Sequence, residues 1–144
     1  MSQVLLVGVD SSACGNRALE YAAEWAEAWK LQMIVAHVIE WSKYSFNTPQ
    51  ENDERHKRRE AELERAHAEI VGPVVDGLRE RGIYARGIIR HGHAAETLAD
   101  IADEMGVTNI VVGRKGSSRI KAQLFGSMAG SLVQIAKQPV TVVP

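Results

Sequence analysis

Five short apolar runs, separated by four helix-like stretches, restrict this chain to a small set of folds. The runs are Val4 to Val9, Leu31 to Ile39, Ile83 to Ile89, Thr108 to Val112 and Val140 to Val143. Between them, apolar residues recur at steps of three and four, the period of one helix face. Ala18, Leu19, Ala22, Trp25, Ala26 and Trp29 form such a stripe, and both tryptophans are expected in the core. The strand-like runs do not alternate strictly between apolar and polar residues. That pattern suits strands covered on both faces. The order β-α-β-α-β-α-β-α-β predicts an open parallel sheet with right-handed crossovers and helices on both faces. The 144 residues suit a single domain over 1–144, without internal repeat or linker.

The intervening segments differ in character. Trp41 to Asn52 reads as a polar and aromatic loop containing Pro49. Glu51 to Arg81 is charged with mixed sign and reads as an exposed helix, with Leu63, Ile70, Val74 and Leu78 as its apolar stripe. Gly72-Pro73 predicts a kink or short break, because proline cannot continue the hydrogen-bond ladder. His91-Gly92-His93 reads as a polar turn. Ala94 to Met105 is a helix ended by Gly106. Met128 to Lys137 is the last helix, with Leu132, Val133, Ile135 and Ala136 expected to be buried.

The stretch with the strongest chemical signal runs from Gly113 to Ser127, with the spacing G-x2-G-x9-G-S. It lies between a strand and a helix start. Backbone N–H groups released by glycine, together with a helix N-terminus, make a site for phosphate. Arg114, Lys115, Arg119 and Lys121 add positive charge, and no Asp or Glu follows Glu104. The stretch is neither a Walker A loop nor a Gly-x-Gly-x-x-Gly fingerprint. A plain strand-to-helix turn with solvated basic residues is the alternative. In open α/β sheets ligands bind at the carboxyl ends of the strands, where strand order reverses. Asp10 closes the first strand. It suits a ribose hydroxyl if the first and fourth strands are neighbours, and an Asx turn or helix cap is the competing role. Val38, at the end of the second strand, has backbone groups to offer a base.

The remaining candidates carry less. A formal net charge of −1 argues against a dedicated nucleic-acid binder. One cysteine, Cys14, excludes an internal disulfide framework and fits a reducing cytoplasm; it reads as a small, partly buried residue. Met1-Ser2-Gln3 leads straight into an apolar run, so no leader is expected, and no stretch is long enough for membrane insertion. His91 and His93 form no ligand set with a neighbouring cysteine or carboxylate cluster, so no protein metal site is expected. Asp10 is the only acidic candidate near the glycines. Binding is therefore expected over catalysis, with slow hydrolysis of a bound phosphate compound as the alternative.

Asp10, the glycine loop and the closing Pro-Val-Thr-Val-Val segment together resemble the universal stress protein family over essentially the whole chain. The glycine spacing resembles that of the family's ATP-binding branch. The resemblance implies strand order 3-2-1-4-5 in a Rossmann-like sheet. It assigns Gly113, Gly116, Gly126 and Ser127 to phosphate, Asp10 to ribose and Val38 to adenine. Val9, Val112, Lys115 and Met128 become pocket walls. The implied ligand is ATP, with ADP or AMP as alternatives and Mg²⁺ or Mn²⁺ accompanying the phosphates. A cytoplasmic homodimer seamed by Val140 to Val143 is expected, with a tetramer as the alternative, acting in stress response on an unknown regulated protein. A slow ATPase or adenylate-handling hydrolase on the same crevice is the alternative, and a ligand-free dimeric interaction module is the third reading. His93 stands where members often carry a proline, a departure that leaves the phosphate positions intact.

Overall fold

The computed structural model describes residues 3–40, 49–116 and 127–144. Its strands are β1 (Val4–Gly8), β2 (Gln32–Glu40), β3 (Ala85–Gly92), β4 (Asn109–Gly113) and β5 (Val140–Val143). The helices are α1 (Ala13–Trp29), α2 (Pro49–Ala66), α3 (Gly72–Glu80), α4 (Ala94–Met105) and α5 (Ser127–Ile135). All strand pairs are parallel, in the order β3-β2-β1-β4-β5.

Residue parity divides the core. Leu5, Val7, Met33, Val35 and Val111 project to one face and pack with Ala18, Ala22 and Ala26 of α1 and Val75 and Leu78 of α3. Leu6, Ile34, Ala36, Ile110 and Val112 project to the other, against Leu98, Ile101 and Ala102 of α4 and Leu132 of α5. Both faces are covered, so the strands read as nearly continuous apolar runs. Each fully buried aliphatic side chain contributes roughly 1.5–3 kcal/mol.

Several boundaries differ from the sequence reading. Helix α2 already begins at Pro49, inside the expected loop; Trp41 to Thr48 lies outside the described residues. The expected kink at Gly72-Pro73 is a π-helical turn over His67–Val71. Pro73 has no N–H, and its ring crowds the carbonyl four residues earlier. The wider turn directs the Gly72 N–H to the His67 carbonyl. A Cβ on Gly72 would lie 2.6 Å from that oxygen, so glycine is required there by close approach.

Strand β3 is shifted toward the carboxyl edge, because β2 pairs with it up to Glu40↔Gly92. His91-Gly92 is thus strand, and His93 is the N-cap of α4. His93 makes no side-chain cap; the Ala94 N–H donates to the Glu40 carboxylate at 3.3 Å. His91 Nε2 bonds Glu62 of α2 at 3.0 Å.

Trp29 is not core: it is 72% exposed, at the last residue of α1, while Trp25 packs at the margin of the core. Val133 and Ile135 are 48% and 46% exposed, against an expectation of burial. Only Ala129 and Leu132 of α5 are buried.

Charged groups tie helices together at the surface. Arg81, at the end of α3, bonds Glu20 and Glu27 of α1. Arg90 of β3 grips Glu104 of α4 with both terminal nitrogens, at 3.2 and 2.6 Å. That grip holds the Glu104 carboxyl below its ordinary pKa. Asp103 is likewise held low, first by the Gln138 amide and then by Lys137.

Candidate functional site

The strand order reverses between β1 and β4, and the chain leaves β1 there as Val9-Asp10-Ser11-Ser12. Asp10 forms an Asx turn: its Oδ1 accepts from the Ser12 N–H at 3.0 Å and from the Ser12 hydroxyl. Ser11 takes φ 64°, a left-handed conformation unusual for a residue with a Cβ. Such conformations cost about 1–3 kcal/mol and cluster at functional sites. Ser12 is the N-cap of α1, its Oγ accepting from the Gly15 N–H at 3.0 Å. One hydroxyl therefore caps the helix and orients the carboxylate. The sequence reading missed Ser12; its signal is the Asp-x-Ser spacing at a strand-to-helix junction.

The loop after β4 packs directly on this corner. A Cβ on Gly116 would lie 2.8 Å from Asp10 Oδ2, and one on Gly113 would lie 2.7 Å from the Cys14 carbonyl carbon. Gly113 is required by close approach to backbone, whereas a side chain on Gly116 would have to displace the Asp10 carboxylate. Gly113 is buried against the α1 backbone, whereas Gly116 is exposed and meets the ribose-side candidate. Lys115 is half-buried and Arg114 exposed. The Arg114 N–H donates to the Val143 carbonyl at 2.7 Å, joining the loop to the end of β5. Arg17 donates from Nε to the Pro144 carbonyl at 2.7 Å and from Nη2 to Cys14 Sγ at 3.1 Å.

The β2 side closes the other wall. The Val9 N–H donates to the Ala36 carbonyl, so the main chain of Ala36 faces β1. Main-chain groups of a strand alternate sides, so those of Val38, two residues on, face the same way, beyond the end of β1 at Gly8. His37, also missed from sequence, donates from Nδ1 to the Val9 carbonyl at 2.6 Å and steadies the turn.

Val9 and Val112 are buried in opposite core clusters. Ser127 is exposed as the first residue of α5, and Met128 packs against the core cluster under α4 and α5. Gly126, Arg119 and Lys121 lie outside the described residues. The structure thus brings Asp10, Gly113 and Gly116 together. Among the described residues no group of three His, Cys, Asp or Glu side chains is placed to hold a metal. Among them, too, no helix is long and apolar enough to cross a membrane.

A doubly wound sheet, with a turn-held carboxylate and a glycine loop at the strand-order reversal, defines a Rossmann-like α/β protein. The chain belongs to the universal stress protein family, whose model matches residues 1–144. It is 30% identical to universal stress protein Rv1996 of Mycobacterium tuberculosis, covering 97% of this chain and 47% of the relative. It therefore spans about half the length of that mycobacterial relative. Universal stress protein YxiE of Bacillus subtilis is 25% identical, with 99% of each chain covered. Among solved structures, hypothetical protein MJ0577 matches with TM-score 0.85 and 23% identity, over 99% of this chain and 96% of that one. A universal stress protein in complex with cAMP matches at TM-score 0.69 and 24% identity, over 99% and 96%. One from Archaeoglobus fulgidus in complex with dAMP matches at 0.65 and 20%, over 100% and 98%.

Proposed function

We infer that this chain is an adenine-nucleotide-binding regulatory domain, with ATP as its ligand. The observation that carries the reading is the approach of Gly116 to the Asp10 carboxylate at the strand-order reversal. In this reading Asp10 takes a ribose hydroxyl, and Gly116, Gly126 and Ser127 are the phosphate-holding residues that the glycine spacing assigns. Gly113 belongs to the same phosphate-holding set, Lys115 adds charge at the mouth, the main chain at Val9 and Val112 and the Met128 side chain are the walls, and Val38 presents its main chain to adenine. The cAMP and dAMP complexes of two structural neighbours support adenine nucleotides as the ligand class. ADP and AMP share the adenosine contacts, and Mg²⁺ or Mn²⁺ would accompany the outer phosphates.

Binding is favoured over turnover. Phosphoryl transfer needs carboxylates that hold the metal and a group that positions the nucleophile. The loop brings none, since no Asp or Glu follows Glu104. A homodimer through β5, in a cytoplasmic stress-response setting, completes the reading. The two sheet edges support it. Edge strand β3 carries Arg86 and Arg90, charges that discourage edge pairing, whereas Val140 to Val143 is uncharged.

One observation favours a second reading, a dimeric interaction module without ligand. Gly113 is already accounted for by its packing on Cys14. Calorimetric titration of ATP into the wild type and into the Gly116→Val/Gly126→Val double variant decides between them. The nucleotide reading expects binding that the double variant abolishes. Unchanged affinity in the variant would reject the site, and a flat wild-type titration would select the module.

A further inference from the structure

We propose that His37 is a positioning residue that holds the last rung between β1 and β2 open, leaving the N–H and C=O of Val38 to read the edge of the base. The proposal rests on the nucleotide reading above, in which Val38 presents its main chain to adenine, and it names the side chain that makes this main chain available.

The parallel ladder fixes which groups are at stake. Gln32 N–H donates to the Gln3 carbonyl at 3.1 Å. With Val4 opposite Gln32 and Gly8 opposite Ala36, the even residues of β2 turn their main chain to β1. The odd residues turn to β3, as the bond from Met33 N–H to the Tyr84 carbonyl at 2.9 Å requires. Pairing with β3 runs on to Glu40↔Gly92, yet it takes neither main-chain group of Val38.

The Val9 N–H still donates to the Ala36 carbonyl, at 2.9 Å. The next rung in that series would carry Val38 N–H to the Val9 carbonyl, and the one after it Ser11 N–H to the Val38 carbonyl. Neither main-chain bond occurs among the described residues, and the β1–β2 register stops at Gly8↔Ala36.

Two local features account for the missing rungs. His37 Nδ1 bonds the Val9 carbonyl at 2.6 Å. A carbonyl only accepts, so the ring nitrogen donates, in the place that Val38 N–H would take. Ser11, at φ 64°, turns the chain away from the strand direction before its N–H can meet Val38. Val9 is buried, so its carbonyl without the imidazole would lack a donor. That state is costly, and closing the rung with Val38 N–H relieves it. The imidazole removes the need to close.

Extended backbone sets the N–H and C=O of one residue side by side on the same edge of the strand. Adenine offers the complement on its Watson–Crick edge, an N1 acceptor beside the N6 amino donor. Hypoxanthine reverses both, with an N1–H donor beside a carbonyl oxygen, and so meets like with like. A site built on such a pair rejects the analogue, because its own polar groups are left unpaired. Main-chain groups cannot flip to adapt as an Asn or Gln amide can.

Two substitutions at His37 test this. His37→Phe keeps a ring and removes the donor. His37→Asn keeps a donor nitrogen on Cγ, where Nδ1 stands. NMR amide exchange in the nucleotide-free protein should show Val38 N–H slowed at least tenfold in His37→Phe, as the rung closes, and near wild type in His37→Asn. In calorimetry the wild type should prefer ATP to inosine triphosphate at least tenfold. His37→Phe should lose that preference, with far-UV circular dichroism unchanged, and His37→Asn should keep it. His37→Leu replaces His37→Phe if the phenyl ring prevents folding. Unchanged Val38 exchange in the donor-free variant would overturn the open rung. Slowed exchange with an unchanged ATP preference would overturn its link to the base, as would a wild type that binds both nucleotides equally. In all these outcomes the wild type binds nucleotide and the nucleotide reading stands. A wild type that binds neither fails that reading, and the role of His37 toward a base falls with it.

Discussion

The Oδ2 atom of Asp10 lies where a side chain on Gly116 would have to begin: a Cβ there would sit 2.8 Å from it. The N–H and hydroxyl of Ser12 hold Oδ1, so moving the carboxylate aside breaks those bonds. Gly116→Ala must displace either the loop or the ribose-side group. We expect it to weaken adenine-nucleotide binding at least tenfold, about 1.4 kcal/mol. Calorimetric titration reads this directly, and an unchanged dissociation constant would separate Gly116 from the site.

Gly113 makes the contrasting case. Its neighbour is main chain, the Cys14 carbonyl carbon at 2.7 Å from an added Cβ. Backbone cannot rotate away as a side chain can. Gly113→Ala is expected to destabilise the fold by roughly 1–3 kcal/mol through overpacking. Urea unfolding should show a lower midpoint with an unchanged slope.

Ser12→Ala removes the cap of α1 and the hydroxyl that bonds Asp10. Loss of a serine N-cap costs about 1 kcal/mol. Nucleotide affinity should fall as well, since the carboxylate gains freedom that binding must remove. A thermal shift without an affinity change would mean that Ser12 serves the helix alone.

The carboxyls of Glu104 and Asp103 are held below their ordinary pKa values, the first by Arg90 and the second by Gln138 and Lys137. A depressed folded-state pKa means that the unfolded chain binds protons first as pH falls. The stabilisation is therefore present above the ordinary carboxylate range, and is lost as pH drops through the lowered values. Both groups are exposed, so the effect is small and screened by salt. Glu104→Gln should flatten the acid limb of the melting temperature against pH below about pH 4.5. It should lower the melting temperature at neutral pH, where the Arg90 pair is intact.

Much of this was legible in the chain. Strands covered on both faces leave continuous apolar runs such as Leu5-Leu6-Val7, so element type and order could be read directly. Trp29 shows the limit. Its spacing from Trp25 matches the buried stripe, but α1 ends there, and spacing does not reveal where cover ends. Val133 and Ile135 fail similarly, because α5 buries only Ala129 and Leu132. The π turn was visible only as Gly72-Pro73. Proline announces a broken ladder, not which turn absorbs it. At the site, Asp10 and the glycines were readable by type and spacing. That Gly113 meets Cys14 while Gly116 meets Asp10 depends on the distance between two backbones, which no local pattern encodes.

Titration of ATP, ADP, AMP and cAMP into the purified wild-type protein tests the central claim most directly. The account predicts saturable binding of ATP at one per chain, lost in the Gly116→Val/Gly126→Val variant. A flat trace for all four nucleotides, from protein shown to be folded, would contradict it and leave the glycine loop as a turn.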